Sequence, residues 1–260
     1  MEFNVGDLVT RNSYGNDVVF KIAKIDGDIV ILKGINMRLI ADAAFEDLKM
    51  YDNEDVEDEK SFLDRLETTV SLDRNDYFYL PGKILHIDSD PEYLSRCLDY
   101  YKKINIWAMG INEREDKIAD HIIEWLKEYK PNIVVITGHD AYNKRKGDVD
   151  DISAYKSSLY FANAVKKARE YESSHEKLII IAGACGSYYE ELIKAGANFA
   201  SSPKRINIHA LDPAIVAAKM SLSNINKDID LKDILERTKY GKDGIGGIIT
   251  KGTMYVGYPR

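Results

Sequence analysis

The sequence is poor in cysteine, in long apolar runs and in surplus positive charge, and each shortage removes a class of protein. With Cys97 and Cys185 alone, one bridge is the most the chain could form, so both are read as free thiols of a reducing compartment. No apolar run is long enough to cross a bilayer. MEFNVGDLV carries acidic residues where a secretory signal would be basic, so the chain is expected to remain in the cytoplasm without membrane insertion. Against 43 acidic residues stand 36 basic ones, a formal charge of -7. That balance argues against nucleic acid or an anionic membrane and points to a neutral or basic partner. No histidine and carboxylate set has metal-ligand spacing, so no metal or other cofactor is expected. There is no internal repeat and no low-complexity tract.

What is present divides into three parts. Residues 1–50 hold short strand-like runs, VGDLVTR, DVVFKIAKID, DIVILKG and MRLIADA, separated by glycine- and aspartate-rich turns. They read as a small all-β module, an SH3-like β-barrel. Residues 51–80 are acidic at the start and lack glycine and proline before Tyr77, with helical spacing at Phe62, Leu63 and Leu66, and read as a linker containing one helix.

Residues 81–260 alternate apolar runs with amphipathic stretches: KILHIDSD, PEYLSRCLDYYKKI, NIWAMGIN, EREDKIADHIIEWLKEYK, NIVVITGHD, then a helix over about 151–171 and the strand 178–182. A helix at 188–195, a strand at 205–210 and a helix at 213–220 follow, and GIGGIITKGTMYVGYP reads as a closing hairpin. The order predicts an α/β fold, a doubly wound and mostly parallel sheet flanked by helices, with ligands at the carboxyl ends of its strands.

The residues just past those strands are therefore the candidate site. They include Asp88 and Asp90, then His139 and Asp140, then Cys185, then His209 and Asp212. In LIIIAGACGSYYEELIKAG a buried strand runs into small residues, delivers Cys185 and turns amphipathic near Ser187. A helix start beside the sulfur favours thiolate, and Gly183, Ala184 and Gly186 admit a substrate backbone. The other reading of Cys185 is a small apolar filler at a strand end. Cys97, inside an amphipathic helix, reads as structural. His139 closes a strand of β-branched residues and can reach a neighbouring tip, either as the base for a thiol or merely as a strand cap. His209 with Asp212 is a second base and orienting acid, while His86, His121 and His175 suit packing or solvent.

A strand ending in histidine and a later strand ending in a small residue and cysteine, here IVVITGHD and LIIIAGAC, resemble the caspase-like peptidases, among them clostripain and gingipain. The phrases FNVGDLVTR, RLIADA, PGKILHIDSD, VVITGHDAY, IIAGACGS, AGANFASSP and INIHALDP are similar to the YabG family of sporulation-specific peptidases along nearly the whole chain. That resemblance implies a caspase-like fold and a cysteine endopeptidase with the catalytic pair Cys185 and His139. It further implies cleavage after arginine, with spore coat and morphogenetic proteins as substrates in the mother cell at the forming coat.

Asp140 stands where the caspase-like pattern has a glycine whose N–H helps form the oxyanion hole. It is expected either to orient His139 or to set a charge beside the developing oxyanion. An arginine pocket needs a carboxylate, and Asp88, Asp140 and Asp212 are the strand-tip acids that could supply it, with Asp88 favoured and Asp212, which also suits a helix cap, kept as the second candidate. Self-cleavage is expected in the loop bearing Lys144, Arg145 and Lys146, or at Arg65 or Arg74 of the linker. Two other readings stand beside the peptidase: a thiol amidohydrolase of the amidotransferase or DJ-1 type with His209 as base, and a non-catalytic coat assembly protein.

Overall fold

The structure, a computed structural model, describes residues 3–51 and 76–259. The chain divides into two compact units, 1–70 and 71–260. The expected linker helix and the cleavage candidates Arg65 and Arg74 lie outside the described residues.

The first unit contains β1 (Leu8–Arg11), β2 (Phe20–Asp26), β3 (Ile29–Gly34), β4 (Ile40–Ala44) and β5 (Leu48–Met50). They form one antiparallel sheet in the order β4-β3-β2-β1-β5. Gly27, at a φ of 61°, makes the tight turn between β2 and β3. Val9, Phe20, Ile22, Val30 and Leu32 are buried on one side, as alternation along antiparallel strands requires. The all-β module is present as an open sheet. Among the described residues no ladder joins β4 to β5, so the expected closure into an SH3-like barrel is not seen.

The second unit is mixed α/β. Its strands are β6 (Phe78–Leu80), β7 (Ile84–Asp88), β8 (Ala108–Asn112), β9 (Ile133–Thr137), β10 (Ile179–Ala182), β11 (Phe199–Ser201), β12 (Ile245–Gly247) and β13 (Tyr255–Gly257). Six of them form the main sheet in the order β8-β7-β9-β10-β11-β12, parallel throughout except for β12. Counted from β7, the parallel part runs 2-1-3-4-5, which puts the topological switch point between β7 and β9.

The helices are α1 (Pro91–Lys103), α2 (Glu115–Tyr129), α3 (Ser158–Tyr171), α4 (Tyr189–Ala195), α5 (Asp212–Ser221) and α6 (Leu231–Glu236). α1 begins where it does because Asp90 accepts the N–H groups of Glu92 and Tyr93 and Pro91 opens the first turn. Ile118, Ile122 and Leu126 of α2 and Phe161 and Val165 of α3 pack on Leu85, Ile87, Val134, Ile136 and Ile180. Each such aliphatic side chain taken from water contributes about 1.5–3 kcal/mol. α1 and α5 also pack on the sheet, and α5 is apolar nearly all round because it is buried nearly all round.

Three expectations are corrected. Residues 205–210 are not a strand but an irregular segment entered through the left-handed residues Ser202 and Arg205. The strand at that place in the sheet is β11, only three residues long. The glycine-rich stretch 244–259 is not a hairpin, since β12 joins β11 in the main sheet while β13 pairs with β6. The helix expected over 151–171 is a 3-10 turn at Ile152–Ala154 followed by α3.

Candidate active site

Because β9 and β10 are neighbours in register, with Ala182 opposite Ile136, the loops carrying His139 and Cys185 leave the sheet side by side. Both residues are buried, His139 at 8% exposure and Cys185 at 1%.

Two glycines let these loops form. At Gly138 a Cβ would stand 2.5 Å from Ser89 Oγ and 2.6 Å from Glu115 Oε1, so only glycine admits the carboxylate of α2. That oxygen accepts the His139 backbone N–H at 2.9 Å and the Ser89 hydroxyl at 2.6 Å, tying the β9 tip to the β7 tip. Gly183, at a φ of 103°, turns the chain out of β10 where a Cβ would meet Leu192 at 2.7 Å.

The thiol of Cys185 lies against the irregular 205–210 segment. Its sulfur accepts the Ile208 N–H at 3.2 Å and faces the Ile208 carbonyl at 3.7 Å. A backbone donor on sulfur favours thiolate. Helix α4 starts only at Tyr189, four residues past the cysteine, so its first turn is further along the chain than the sequence pattern predicts.

His139 Nε2 lies 3.6 Å from Asp90 Oδ2, and its ring centroid is 5.9 Å from that of Tyr93. Asp90 thus does two things: Oδ1 caps α1 and Oδ2 faces the imidazole. In the sequence Asp90 is one of the strand-tip carboxylates; the fold shows that it also caps α1 and faces His139.

Asp140 is buried, and its two oxygens accept four hydrogen bonds. Oδ1 takes the N–H groups of Ala141 at 2.9 Å and Ser157 at 2.7 Å. Oδ2 takes the hydroxyls of Ser158 at 2.5 Å and Ser187 at 2.8 Å. Burial pushes its carboxyl above the usual carboxylate range, opposed by these donors. Neither oxygen is bonded to His139, so the orienting acid expected there is absent from the imidazole's hydrogen bonds.

The two arginine-pocket candidates are fully buried. Asp88 accepts the Thr137 hydroxyl at 2.8 Å and the Asp90 N–H at 2.9 Å, and lies 3.8 Å from His86 Nε2. Asp212 accepts the N–H groups of His209 at 3.0 Å and Lys239 at 2.8 Å. His209 Nδ1 in turn accepts the Leu211 N–H at 3.2 Å. His86 meets the Tyr101 hydroxyl at 2.9 Å, and Cys97 lies buried on α1 with its sulfur 3.7 Å from the Ala210 carbonyl. Among the described residues no cluster of histidine, cysteine and carboxylate side chains is placed to hold a metal ion, and no helix is long and apolar enough to cross a membrane.

Residues 4–72 and 64–259 match the model of the family described as YabG peptidase U57. The chain is 41% identical over 286 aligned positions to the sporulation-specific protease YabG of Bacillus subtilis (strain 168), covering 100% of this chain and 99% of that one. Among solved structures, a family 3 carbohydrate esterase of Clostridium thermocellum aligns with 44% of this chain and 66% of its own at 9% identity, with a TM-score of 0.28, too low to carry an argument. A peptidase on a mixed α/β scaffold is what these matches define. The chain belongs to the YabG peptidase U57 family.

Proposed function

We propose that this peptidase is a cysteine endopeptidase of caspase-like fold, with Cys185 as nucleophile and His139 as base, that cuts after arginine in spore coat and morphogenetic proteins. The observation that carries the reading is the side-by-side departure of the His139 and Cys185 loops from β9 and β10, next to the switch point. The name of the Bacillus subtilis relative, a sporulation-specific protease, supports the setting, which we take to be the mother cell at the forming coat.

The chemistry we propose starts from the carboxylate that faces the imidazole. With His139 Nε2 facing Asp90, Nδ1 is the ring nitrogen that takes the thiol proton, and the carboxylate stabilises the imidazolium that forms. The thiolate attacks the scissile carbonyl, and the imidazolium then gives its proton to the leaving amine. Backbone N–H groups hold the oxyanion. Those of Cys185 and Asp140 are the donors we assign, and no hydrogen bond among the described residues engages the Asp140 N–H. The Asp140 charge is turned toward four donors, which reduces its opposition to an oxyanion at that N–H.

For the arginine, Asp88 is the preferred acid because it ends β7 beside β9. Asp212 bridges the N–H groups of His209 and Lys239 at the start of α5, which suits a structural role as well. The amidohydrolase alternative needs His209 as base. Its Nδ1 accepts the Leu211 N–H, which disfavours that nitrogen as the one that takes a thiol proton.

Incubating a spore coat extract with wild-type, Cys185→Ala and His139→Ala protein, and sequencing the new termini, tests the proposal. Cuts after arginine that vanish in both variants are expected. Cuts that survive Cys185→Ala, or fall elsewhere than after arginine, refute it. Arg145, exposed in the turn between Lys144 and Lys146, is the proposed self-cleavage point. Fragments ending there in wild-type but not in Cys185→Ala protein are the expected sign.

A further inference from the structure

Two short relays hold the shoulders of the Cys185 loop, and both end on one carboxylate oxygen. On the strand side, the Ala184 N–H donates to Ser187 Oγ at 2.9 Å, and that hydroxyl donates to Asp140 Oδ2 at 2.8 Å. On the helix side, the Tyr188 N–H donates to Ser158 Oγ at 2.8 Å, and that hydroxyl donates to the same Oδ2 at 2.5 Å. Asp140, Ser158 and Ser187 are all buried, at 4%, 0% and 0% exposure, so no solvent competes with these bonds.

We infer that Asp140 is a positioning residue for the nucleophile: it fastens both sides of the Cys185 loop to the strand tip that carries His139 and thereby fixes the sulfur relative to the imidazole. This rests on the reading of Cys185 and His139 as the reacting pair. It also gives a reason for a carboxylate next to the histidine. The loop holds two glycines at positive φ, Gly183 and Gly186, and such a backbone has many alternative conformations to lose. Gly186 is held separately, its N–H donating to Ser202 Oγ at 2.9 Å, while Ala184 and Tyr188 depend on the relays.

The geometry demands an acceptor-only group. Oδ1 faces two N–H donors and Oδ2 faces two hydroxyls that have each spent a lone pair on a backbone N–H. An ionised carboxylate serves all four. Asparagine must turn its NH2 either toward two N–H donors or toward the two hydroxyls, whose own protons then lose their acceptor.

The test uses the full chain as wild-type, Asp140→Asn, Ser187→Ala, Ser158→Ala and Cys185→Ala. Two readings are taken: kcat and KM on a fluorogenic peptide with arginine before the scissile bond, and the pH profile of Cys185 alkylation by iodoacetamide, followed by mass spectrometry. A displacement of the sulfur by about 1 Å costs about a hundredfold in rate. Asp140→Asn is therefore expected to lose about a hundredfold in kcat at unchanged KM, and each serine variant about tenfold. In all three the alkylation inflection should move up toward the ordinary thiol value of about 8.5. A change in stability alone would not move that inflection.

Wild-type kcat and a wild-type alkylation profile in Asp140→Asn overturn the inference. If that variant does not fold, the serine variants, each lacking one relay, decide it in the same way. Activity surviving in Cys185→Ala would instead overturn the assignment of the nucleophile, a result distinct from any behaviour of Asp140.

Discussion

Replacing Asp90 by asparagine separates its two duties, because asparagine caps a helix about as well as aspartate but carries no charge. The Glu92 and Tyr93 N–H groups keep their acceptor, so α1 should start as before. What disappears is the negative charge 3.6 Å from His139 Nε2, between side chains that are 10% and 8% exposed. Two unit charges at that separation interact by about 4–5 kcal/mol at an effective dielectric near 20. Reorganised dipoles and water would restore part of this, so we expect about 2–3 kcal/mol less stabilisation of the imidazolium. In rate that is roughly a 30- to 150-fold fall in kcat. The assay is steady-state cleavage of an arginyl peptide beside a thermal melt. Asp90→Asn should lose the rate and keep its melting temperature. Asp90→Ala should lose the rate and also the cap, about 1 kcal/mol, which lowers the melting temperature by about 2–4 °C in a unit of this size. Undiminished kcat in Asp90→Asn would refute the idea that this carboxylate supports the imidazole.

Gly183→Ala should place a Cβ 2.7 Å from Leu192 at a φ of 103°; strain and overpacking together cost roughly 2–4 kcal/mol, read as a fall in melting temperature of roughly 5–10 °C. Arg169 donates to the carbonyls of Gly196 at 2.7 Å and Leu178 at 2.8 Å and to Asn198 Oδ1 at 2.5 Å. Arg169→Met should therefore cost about 3 kcal/mol in urea denaturation, less what is recovered from the burial that lowers this guanidinium to about 10. His175 is held below the ordinary histidine value, first by burial and then by the Arg169 charge. The folded state disfavours protonation of this ring, so stability present above the ordinary value is lost as the pH falls past it. Melting temperatures measured between pH 7.5 and 5 should drop less steeply in His175→Gln.

The elements legible in the sequence are those whose pattern is set locally. IVVIT and IIIA are buried on both faces and read as central strands, and the capped α1 and the amphipathic α2 read as helices. β11 is three residues long, too short for any periodicity to register. INIHAL resembles a strand because Ile208 and Ala210 are buried, but the backbone there meets the two cysteine sulfurs instead of joining the main sheet. At the candidate site His139, Asp140 and Cys185 stand out because they close or follow apolar runs. The role of Ser158 and Ser187 could not be read, since no spacing links residues 140, 158 and 187 before the chain is folded. Asp90 is visible in the sequence as a strand-tip acid, but its place facing His139 is not, because the two come together only across the sheet.

The small ladder between β6 and β13 joins the first and last strands of the α/β unit, with Tyr255 opposite Leu80 and Gly257 opposite Phe78. Contacts so distant in sequence form late, after the intervening chain has been ordered. β12, which completes the main sheet beside β11, also comes from this end of the chain. The unit therefore cannot finish folding on the ribosome until nearly all of it has been made. A chain stopped before β12 therefore lacks the finished sheet behind its cysteine.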